Sequence, residues 1–218
     1  MRSKLFLALL NILLITALYP DITASDMDFY KIDTDEGLSH NRTTVTKRGP
    51  NGFIWIGTFS GLNRYDGYNI KNYKHKSTDS TSLLNNWITD IEVGPAGNLW
   101  IATIAGLNKY LPKEDKFESY LEENYINELS FVNDSLLFVC AGFGLWRYNK
   151  EKDSFKGFWD YPEYKYSISN NNVHDVIAHE DGRILVATYG ENIEEYHLES
   201  DSFSVAIKHP DIPKNCDK

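Results

Sequence analysis

Short polar loops and the turns near them hold the residues of this sequence that are best suited to contact a ligand. Amides and arginine can hydrogen-bond to sugar hydroxyls, and aromatic rings can stack on the apolar face of a sugar. The candidate ligand-binding residues are Asn41, Arg42, Phe59, Asn86, Trp87, Phe143, Asn171 and Asn172. An alternative interpretation is that asparagine-rich loops simply make good turns, and that Trp87 packs on a neighbouring element. A second aromatic-rich segment, with Tyr161, Tyr164 and Tyr166, has the same ambiguity.

Motifs for catalysis or metal binding are missing from the sequence. It has no glycine-rich phosphate loop, no His-Glu-x-x-His pattern and no Gly-x-Ser-x-Gly elbow. His174 and His179 are five residues apart, and an odd separation on a strand points two side chains to opposite faces. Asp79, Asp90 and Asp115 lack the spacing of a calcium loop. We therefore predict no catalytic residues, no metal and no cofactor.

Composition and net charge exclude several classes of protein. The chain has 218 residues, of which 42% are apolar, and a net charge of −9. That apolar content favours a folded domain over disorder, and an acidic chain without a basic run is a poor match for nucleic acid. Two cysteines, Cys140 and Cys216, exclude a disulfide-rich or cysteine-rich zinc module. Because one lies in an apolar run and the other in a polar tail, we expect both to be unpaired.

The first 24 residues are typical of a secretory signal peptide. Arg2 and Lys4 precede an apolar run from Leu5 to Leu18, and a small-residue cleavage site lies before Ser25. The run is short for a membrane span, although an uncleaved anchor is the alternative. No later stretch is apolar enough to span a membrane. Because of the signal peptide, we predict an exported, periplasmic protein.

A repeat occupies most of the remaining chain. The segment Gly61-Leu62-Asn63-Arg64-Tyr65 returns as residues 106–110 and 144–148, and a weaker copy ends at Tyr196. An apolar run precedes each copy, with tryptophan at its third position in the first two. The repeated structural positions are Trp55, Gly61, Tyr65, Trp100, Gly106, Tyr110, Gly144, Tyr148 and Tyr196.

Each repeat unit predicts four short strands. Runs of four to six β-branched and aromatic residues alternate with turns such as Gly49-Pro50-Asn51-Gly52. Four strands in 40–50 residues are typical of one blade of a β-propeller. The fold class is therefore all-β, with blades at about 40–75, 82–122, 123–160 and 168–207. Trp55 and Trp100 would pack between blades.

The first two units resemble the two-component regulator propeller repeat. The resemblance rests on residues 37–67 and on Leu99-Trp100-Ile101-Ala102-Thr103 followed by Gly106-Leu107-Asn108-Lys109-Tyr110. The third and fourth units depart from it, with Phe138 and Leu185 in place of tryptophan. The resemblance implies a seven-bladed propeller in the extracytoplasmic sensor region of a histidine kinase, often a hybrid one. In Bacteroidetes, many such sensors respond to oligosaccharides.

That resemblance makes a ligand-sensing region the leading hypothesis, with an oligosaccharide as its possible ligand. A propeller enzyme, such as a lyase or lactonase, would instead need His, Asp or Glu side chains converging at the channel. The third hypothesis is an exported protein-interaction scaffold. Because propeller ligands usually meet the face formed by the loops before the first strands and the turns between second and third strands, the candidate residues fall on one face.

The number of units predicts an incomplete ring. Four blades are fewer than seven, and Phe29 to Asp33 is an additional predicted outer strand that has no three-stranded partner. Residues 209–218 are a polar tail. We therefore expect a truncated N-terminal piece whose partners are the missing blades. The alternative is a natural short protein that pairs with a second propeller copy.

Overall fold

The computed structural model describes residues 29–94, 97–133, 136–190 and 192–208. The signal peptide predicted for residues 1–24, Cys216 and the 209–218 tail lie outside these residues. Phe29–Lys31 also fall outside the compact unit that begins at Ile32.

Residues 29–33, predicted as an outer strand without a partner sheet in this chain, pair with none of the described strands. Asp33 instead begins a turn, in which its carbonyl accepts a hydrogen bond from the Leu38 amide at 3.0 Å. Gly37 ends this turn with a φ of 102°. A strand needs continuous pairing with a neighbouring strand, and the turn bond takes the Asp33 carbonyl away from such a ladder.

Sixteen strands form four four-stranded antiparallel sheets in the described part of the chain. A 3₁₀ turn, Pro50–Gly52, joins the first two strands. In each sheet the strands lie side by side in chain order. The strands are β1 Thr43–Arg48, β2 Ile54–Thr58, β3 Gly61–Tyr65, β4 Ile70–Tyr73, β5 Ile88–Val93, β6 Leu99–Thr103, β7 Gly106–Leu111, β8 Lys116–Tyr120, β9 Ile126–Asn133, β10 Leu136–Ala141, β11 Gly144–Asn149, β12 Ser154–Phe158, β13 Val173–Ala178, β14 Ile184–Thr188, β15 Ile193–His197 and β16 Ser202–Ile207. The all-β prediction is confirmed.

Tight turns between second and third strands explain why glycine opens the repeated segment. Gly61 and Gly106 have φ values of 137° and 138°, which residues with a Cβ rarely adopt. A Cβ on Gly61 would also lie 2.8 Å from the Tyr73 carbonyl oxygen. The Thr58 hydroxyl donates to the Gly61 carbonyl at 2.9 Å, and Thr103 donates to Gly106 at 2.8 Å. The same threonine bond therefore closes both turns.

Aromatic side chains form much of the core between successive sheets. Trp55 of the first sheet contacts Tyr110 of the second, with ring centroids 4.9 Å apart. Trp100 contacts Tyr148 of the third sheet at the same distance. Phe138 contacts Tyr196 of the fourth at 5.2 Å. The aromatic positions of the repeat thus join one sheet to the next, as blades do in a propeller.

Innermost strands of consecutive sheets lie next to one another. The Asp90 carboxylate on β5 accepts a hydrogen bond from the Leu129 amide on β9 at 2.9 Å. The Asn127 side chain on β9 donates to the Val173 carbonyl on β13 at 2.6 Å. These strands therefore form one continuous inner wall across the second, third and fourth sheets.

A repeated acid–tyrosine cluster fixes the outer part of each boundary between sheets. Asp115, in the β7–β8 turn, accepts hydrogen bonds from Tyr110 of its own sheet at 2.6 Å and from Tyr73 of the preceding sheet at 2.7 Å. It also pairs with Lys71, and Arg64 lies 3.7 Å away. Desolvation opposes ionisation of Asp115, but hydrogen bonds from Lys71, Tyr110 and Tyr73 outweigh it and lower its pKa to about 2.

The cluster recurs at the next two boundaries. Asp153 accepts from Tyr148 at 2.5 Å and from Tyr120 at 3.1 Å. Asp201 accepts from Tyr196 and pairs with Arg147 and Lys156 of the preceding sheet. All three aspartates have φ between 46° and 54°.

The fourth sheet departs from the charge pattern. Arg64, Lys109 and Arg147 pair in register with Trp55, Trp100 and Phe138 on their neighbouring strands. The corresponding pair in the fourth sheet is Leu185 and Glu195. An acid therefore stands where the three preceding sheets hold a base.

Candidate functional site

Two segments meet at the same end of every sheet: the loop that leads into the first strand, and the turn between the second and third strands. We call this the loop end. One backbone hydrogen bond joins the two segments in each unit. These bonds run from Phe59 to Arg42 at 3.3 Å, from Ile104 to Trp87 at 3.3 Å, from Gly142 to Tyr125 at 2.9 Å and from Tyr189 to Asn172 at 2.8 Å.

Three of the predicted ligand-binding asparagines instead bind their own loops. The side-chain oxygen of Asn41 accepts from the Thr34 amide at 3.0 Å. Asn86 accepts from His75 at 2.8 Å, and Asn171 accepts from Asp160 at 2.7 Å. These equivalent bonds favour a structural role for the three carbonyl oxygens.

The residue before each of these asparagines makes a second repeated bond. Asn85 accepts from the Trp87 amide at 2.9 Å, and Asn170 accepts from the Asn172 amide at 2.8 Å. His40 does the same for Arg42 through its ring nitrogen at 2.9 Å. Side-chain-to-backbone bonds of this kind stabilise turns. Residues 42, 87 and 172 are thus held at the mouth of the first strand.

Arg42, Phe59 and Trp87 come together between the first and second sheets. The Arg42 guanidinium lies 4.1 Å from the centre of the Phe59 ring, within cation–π distance. Phe59 stacks on Trp87 with centroids 4.3 Å apart and planes at 28°. Trp87 remains 37% exposed, and Arg42 is exposed. We call these three residues the face cluster.

Phe143 and Asn172 lie further round the same end, in the third and fourth sheets. Phe143 is 67% exposed in its turn. The Asn172 side-chain oxygen is 3.4 Å from the Asn127 amide nitrogen, which donates to it. The structure therefore groups three of the predicted residues and distributes the others along the loop end.

Two aromatic residues of the loop end were missed at the level of sequence. Tyr125 occupies the position of Trp87 in the third unit, and Tyr189 occupies the position of Phe59 in the fourth. Both are exposed, and Tyr189 lies 5.8 Å from the His174 ring. Aligning the degenerate third and fourth units with the first two would have revealed them.

Carboxylates line the inner wall beneath this end. Asp90 and Glu128 lie on neighbouring inner strands, and Asp175 lies on the next. Partial desolvation, Asp175 and Asp90 raise the pKa of Glu128 to about 7. Burial also raises the pKa of Asp90. The wall is therefore acidic but contains a carboxyl group that is protonated in part at neutral pH.

The described residues hold no group of three or more His, Cys, Asp and Glu side chains arranged to bind a metal. Within the same residues, no helix has the length and apolar character that crossing a membrane requires. Cys140 is a free thiol, and burial raises its pKa, which makes it unreactive.

Residues 82–105 match the family model described as two component regulator propeller. This segment is similar to a two-component regulator propeller repeat. The matched segment contains the loop around Trp87, strands β5 and β6, and the Thr103 turn. It therefore combines one part of the face cluster with the Trp100 core position.

A curated relative shares part of this repeat region. Histidine kinase P4 of Formosa agariphila is 34% identical over 59 residues, which make up 27% of this chain and 4% of that kinase. The chain thus matches a small fraction of that relative's length.

Solved structures share the fold of this chain. Two crystal structures of extracellular domains, each described as part of a two component system of B. thetaiotaomicron, are 20% and 21% identical with TM-scores of 0.68 and 0.60. The alignments cover 82% and 75% of this chain, but only 26% and 21% of theirs. Virginiamycin B lyase from Staphylococcus aureus matches with 14% identity and a TM-score of 0.55, covering 74% of this chain and 54% of the lyase. At these identities the shared feature is the propeller fold, and that prediction is confirmed.

Proposed function

We propose that this chain is the extracytoplasmic ligand-sensing propeller region of a two-component sensor. The observation that carries the proposal is the regulator propeller repeat at residues 82–105, which includes Trp87 of the face cluster. The partial identity to a histidine kinase and the fold shared with extracellular sensor domains support it. Export through a signal peptide at residues 1–24 and a periplasmic location belong to the same proposal.

The face cluster is the proposed ligand site, and an oligosaccharide is the proposed ligand. Trp87 and Phe59 offer an aromatic surface, while the exposed Arg42 guanidinium offers several hydrogen-bond donors. A surface of this type suits a molecule with an apolar ring face surrounded by hydroxyl groups. Binding would stabilise one arrangement of the sensor over another, which is how a ligand shifts a conformational equilibrium.

A binding role fits the geometry better than an enzymatic one. A propeller lyase or lactonase would need acid–base side chains next to the bound substrate. At the loop end Phe59 stacks on Trp87 and Arg42 lies over Phe59, and the Asp90 carboxylate is engaged by the Leu129 amide. Sugar turnover by the purified protein would overturn this part of the proposal.

Isothermal titration calorimetry with neutral and acidic oligosaccharides tests the ligand site. We expect Trp87→Ala to weaken binding of the recognised sugar at least tenfold, because the stacking surface is removed. Tyr68→Ala is the control, since Tyr68 is 93% exposed in the β3–β4 turn at the opposite end of the first sheet. Equal binding by both variants would contradict the proposed site.

We also propose that further blades complete the ring. The fourth sheet supports this, because Ile177 and Val205 are 49% and 48% exposed on it. Exposed apolar sheet faces favour association. The purified chain should therefore be oligomeric or poorly soluble, and a monodisperse monomer with a cooperative melt would contradict the proposal.

A further inference from the structure

Two loops of this protein share one backbone scaffold but carry different side chains. Residues 74–87, which we call the polar loop, connect the first sheet to the second. Residues 159–172, which we call the aromatic loop, connect the third sheet to the fourth. Each has 14 residues, and each is anchored by a buried apolar side chain at its tenth position, Leu83 or Ile168.

Hydrogen bonds show that the two scaffolds are equivalent. The same five bonds occur at the same positions of each loop, with the same donor and acceptor atoms. In two of the bonds a backbone amide donates to a side-chain oxygen: His75 to Asn86 and Asp160 to Asn171, and Lys76 to Ser82 and Tyr161 to Ser167. In the other three a backbone amide donates to a backbone carbonyl: Asp79 to Lys76 and Tyr164 to Tyr161, Ser82 to Asp79 and Ser167 to Tyr164, and Phe117 to Thr81 and Phe203 to Tyr166. Folding of the loop therefore depends on the backbone, the serine and the asparagine.

The aromatic side chains are not needed for that scaffold. Trp159, Tyr161, Tyr164 and Tyr166 stand where the polar loop has Lys74, Lys76, Asp79 and Thr81. The three tyrosines are exposed by 50%, 70% and 61% of their surfaces. Exposed aromatic side chains that the local fold does not require are a mark of a binding surface.

Each loop forms one wall of a cleft between outer strands. The polar cleft, of about 310 Å³, lies at β4 and β8 and is lined by charged residues that include Lys74, Lys76, Glu114 and Lys116. The aromatic cleft, of about 370 Å³, lies at β12 and β16 and is lined by Trp159, Tyr161, Tyr164, Tyr166, Ser200 and Ser202. The two clefts are equivalent in position and opposite in chemistry.

The rings of the aromatic cleft stand at steep angles to one another. Trp159 and Tyr161 have centroids 6.4 Å apart with planes at 72°, and Tyr161 and Tyr164 are 6.0 Å apart at 76°. Neighbouring rings therefore form corners that present a face and an edge to the same ligand. Such corners suit a compact ring with an apolar face better than an extended chain.

The carboxylate of the aromatic cleft is already engaged. Asp201 is paired with Arg147 and Lys156, and Tyr196 donates to it. The Lys165 ammonium lies 5.5 Å from the centre of the Tyr166 ring. The remaining polar groups are hydroxyls of tyrosine and serine, which can both donate and accept hydrogen bonds.

We infer that the aromatic cleft is a second binding site, and that its ligand is a neutral saccharide. Aromatic faces and hydroxyl partners, beside a carboxylate that is already paired, match the surface of a neutral sugar. The site is separate from the face cluster, because its residues lie between the outer strands of the third and fourth sheets. The proposal for the aromatic cleft can therefore be tested independently of the ligand site proposed at Arg42, Phe59 and Trp87.

The test replaces the aromatic side chains by those of the matching positions in the polar loop. The triple variant Tyr161→Lys, Tyr164→Asp and Tyr166→Thr keeps a side-chain set that this scaffold already accommodates. Calorimetry would compare cellohexaose, laminarihexaose, xylohexaose and mannohexaose with hexagalacturonate and deca-proline. We expect at least one neutral hexaose to bind the full chain, and the triple variant to bind it at least tenfold more weakly with an unchanged melting temperature.

Controls separate this site from the face cluster. Trp87→Ala should leave the binding event at the aromatic cleft intact, and Tyr68→Ala should affect neither site. The inference is overturned if no neutral hexaose binds, if the triple variant binds as well as the unchanged protein, or if only hexagalacturonate or deca-proline depends on the three tyrosines. Loss of sugar binding in Trp87→Ala alone would support the face cluster and reject the aromatic cleft.

Discussion

The two ends of the sheets use their side chains in opposite ways. At the turn end, where third and fourth strands connect, Asp115 and Asp153 each bind a tyrosine and a base of the preceding sheet, and Asp201 binds two bases of the preceding sheet. At the loop end, rings such as Phe143 and Tyr189 remain exposed. At the turn end, polar side chains are thus used to join the sheets, while aromatic rings stay exposed at the loop end.

This contrast guides the assignment of function. Charged and hydroxyl groups are often taken as candidates for chemistry, yet here the most elaborate set of them joins one sheet to the next. The hydrogen bonds across each boundary satisfy groups that would otherwise be costly to bury. Exposed rings such as Phe143 lie outside these clusters, which leaves them available to the proposed ligand.

Breaking a core contact between sheets should have the largest effect on stability. Trp100 is 2% exposed and contacts Tyr148 and Phe155 of the next sheet. We expect Trp100→Ala to lower the free energy of unfolding by about 3–5 kcal/mol, as for other large core truncations. Denaturant titration measures this, and Trp87→Ala at the loop end is the comparison. A similar loss in both variants would show that the loop end also carries the fold.

Removing an acid from the turn end should have a smaller effect. In Asp201→Ala, Arg147 and Tyr196 lose a shared partner at the boundary between the third and fourth sheets. We expect a loss of about 1–3 kcal/mol in the free energy of unfolding. Asp66→Ala is the matched control, because Asp66 lies in the corresponding turn of the first sheet and accepts from the Tyr68 and Asn69 amides of that turn. Equal losses would argue against a role for Asp201 between sheets.

The pH dependence of stability should distinguish the turn end from the inner wall. Asp115 has its pKa lowered from 3.8 to about 2, so its stabilising contribution is present above pH 4 and is lost as the pH falls towards 2. Glu128 has its pKa raised from 4.5 to about 7, so its ionisation destabilises the fold as the pH rises through that range.

Glu128→Gln isolates the second effect. We expect the variant to melt at a higher temperature than the unchanged protein at pH 8, and at nearly the same temperature at pH 4. Thermal melts across this range measure the difference, with the exposed Glu122→Gln as control. A constant difference between Glu128→Gln and the unchanged protein at every pH would rule out titration of Glu128 as its cause.

The repeat made the fold predictable. Residues Trp55 and Trp100 recur with glycine and tyrosine at fixed spacing, and repetition indicates that each residue meets an equivalent neighbour in the next unit. Strand order and sheet count followed from the same pattern. The outer strand at residues 29–33 stays a prediction, because it was expected to pair with a sheet other than these four. The sequence did not reveal that Asp33 begins a turn.

The candidate site was predictable only in part. A tryptophan in a polar loop pointed to Trp87, and the structure brings it to Phe59 and Arg42. The sequence could not show that Asn86 binds an amide 11 residues away, because that bond depends on how the loop folds back. Nor could it show that the polar and aromatic loops share a scaffold, since they have few residues in common.

Glu195 affects which sheets can pack next to the fourth sheet. The aspartate of the repeat lies next to Arg64, Lys109 or Arg147 of the preceding sheet. On the fourth sheet, the same aspartate would meet Glu195, which is another acid. Repulsion between like charges disfavours that pairing. The charge of Glu195 therefore disfavours packing of a second copy of the second, third or fourth sheet on the fourth sheet in the usual register.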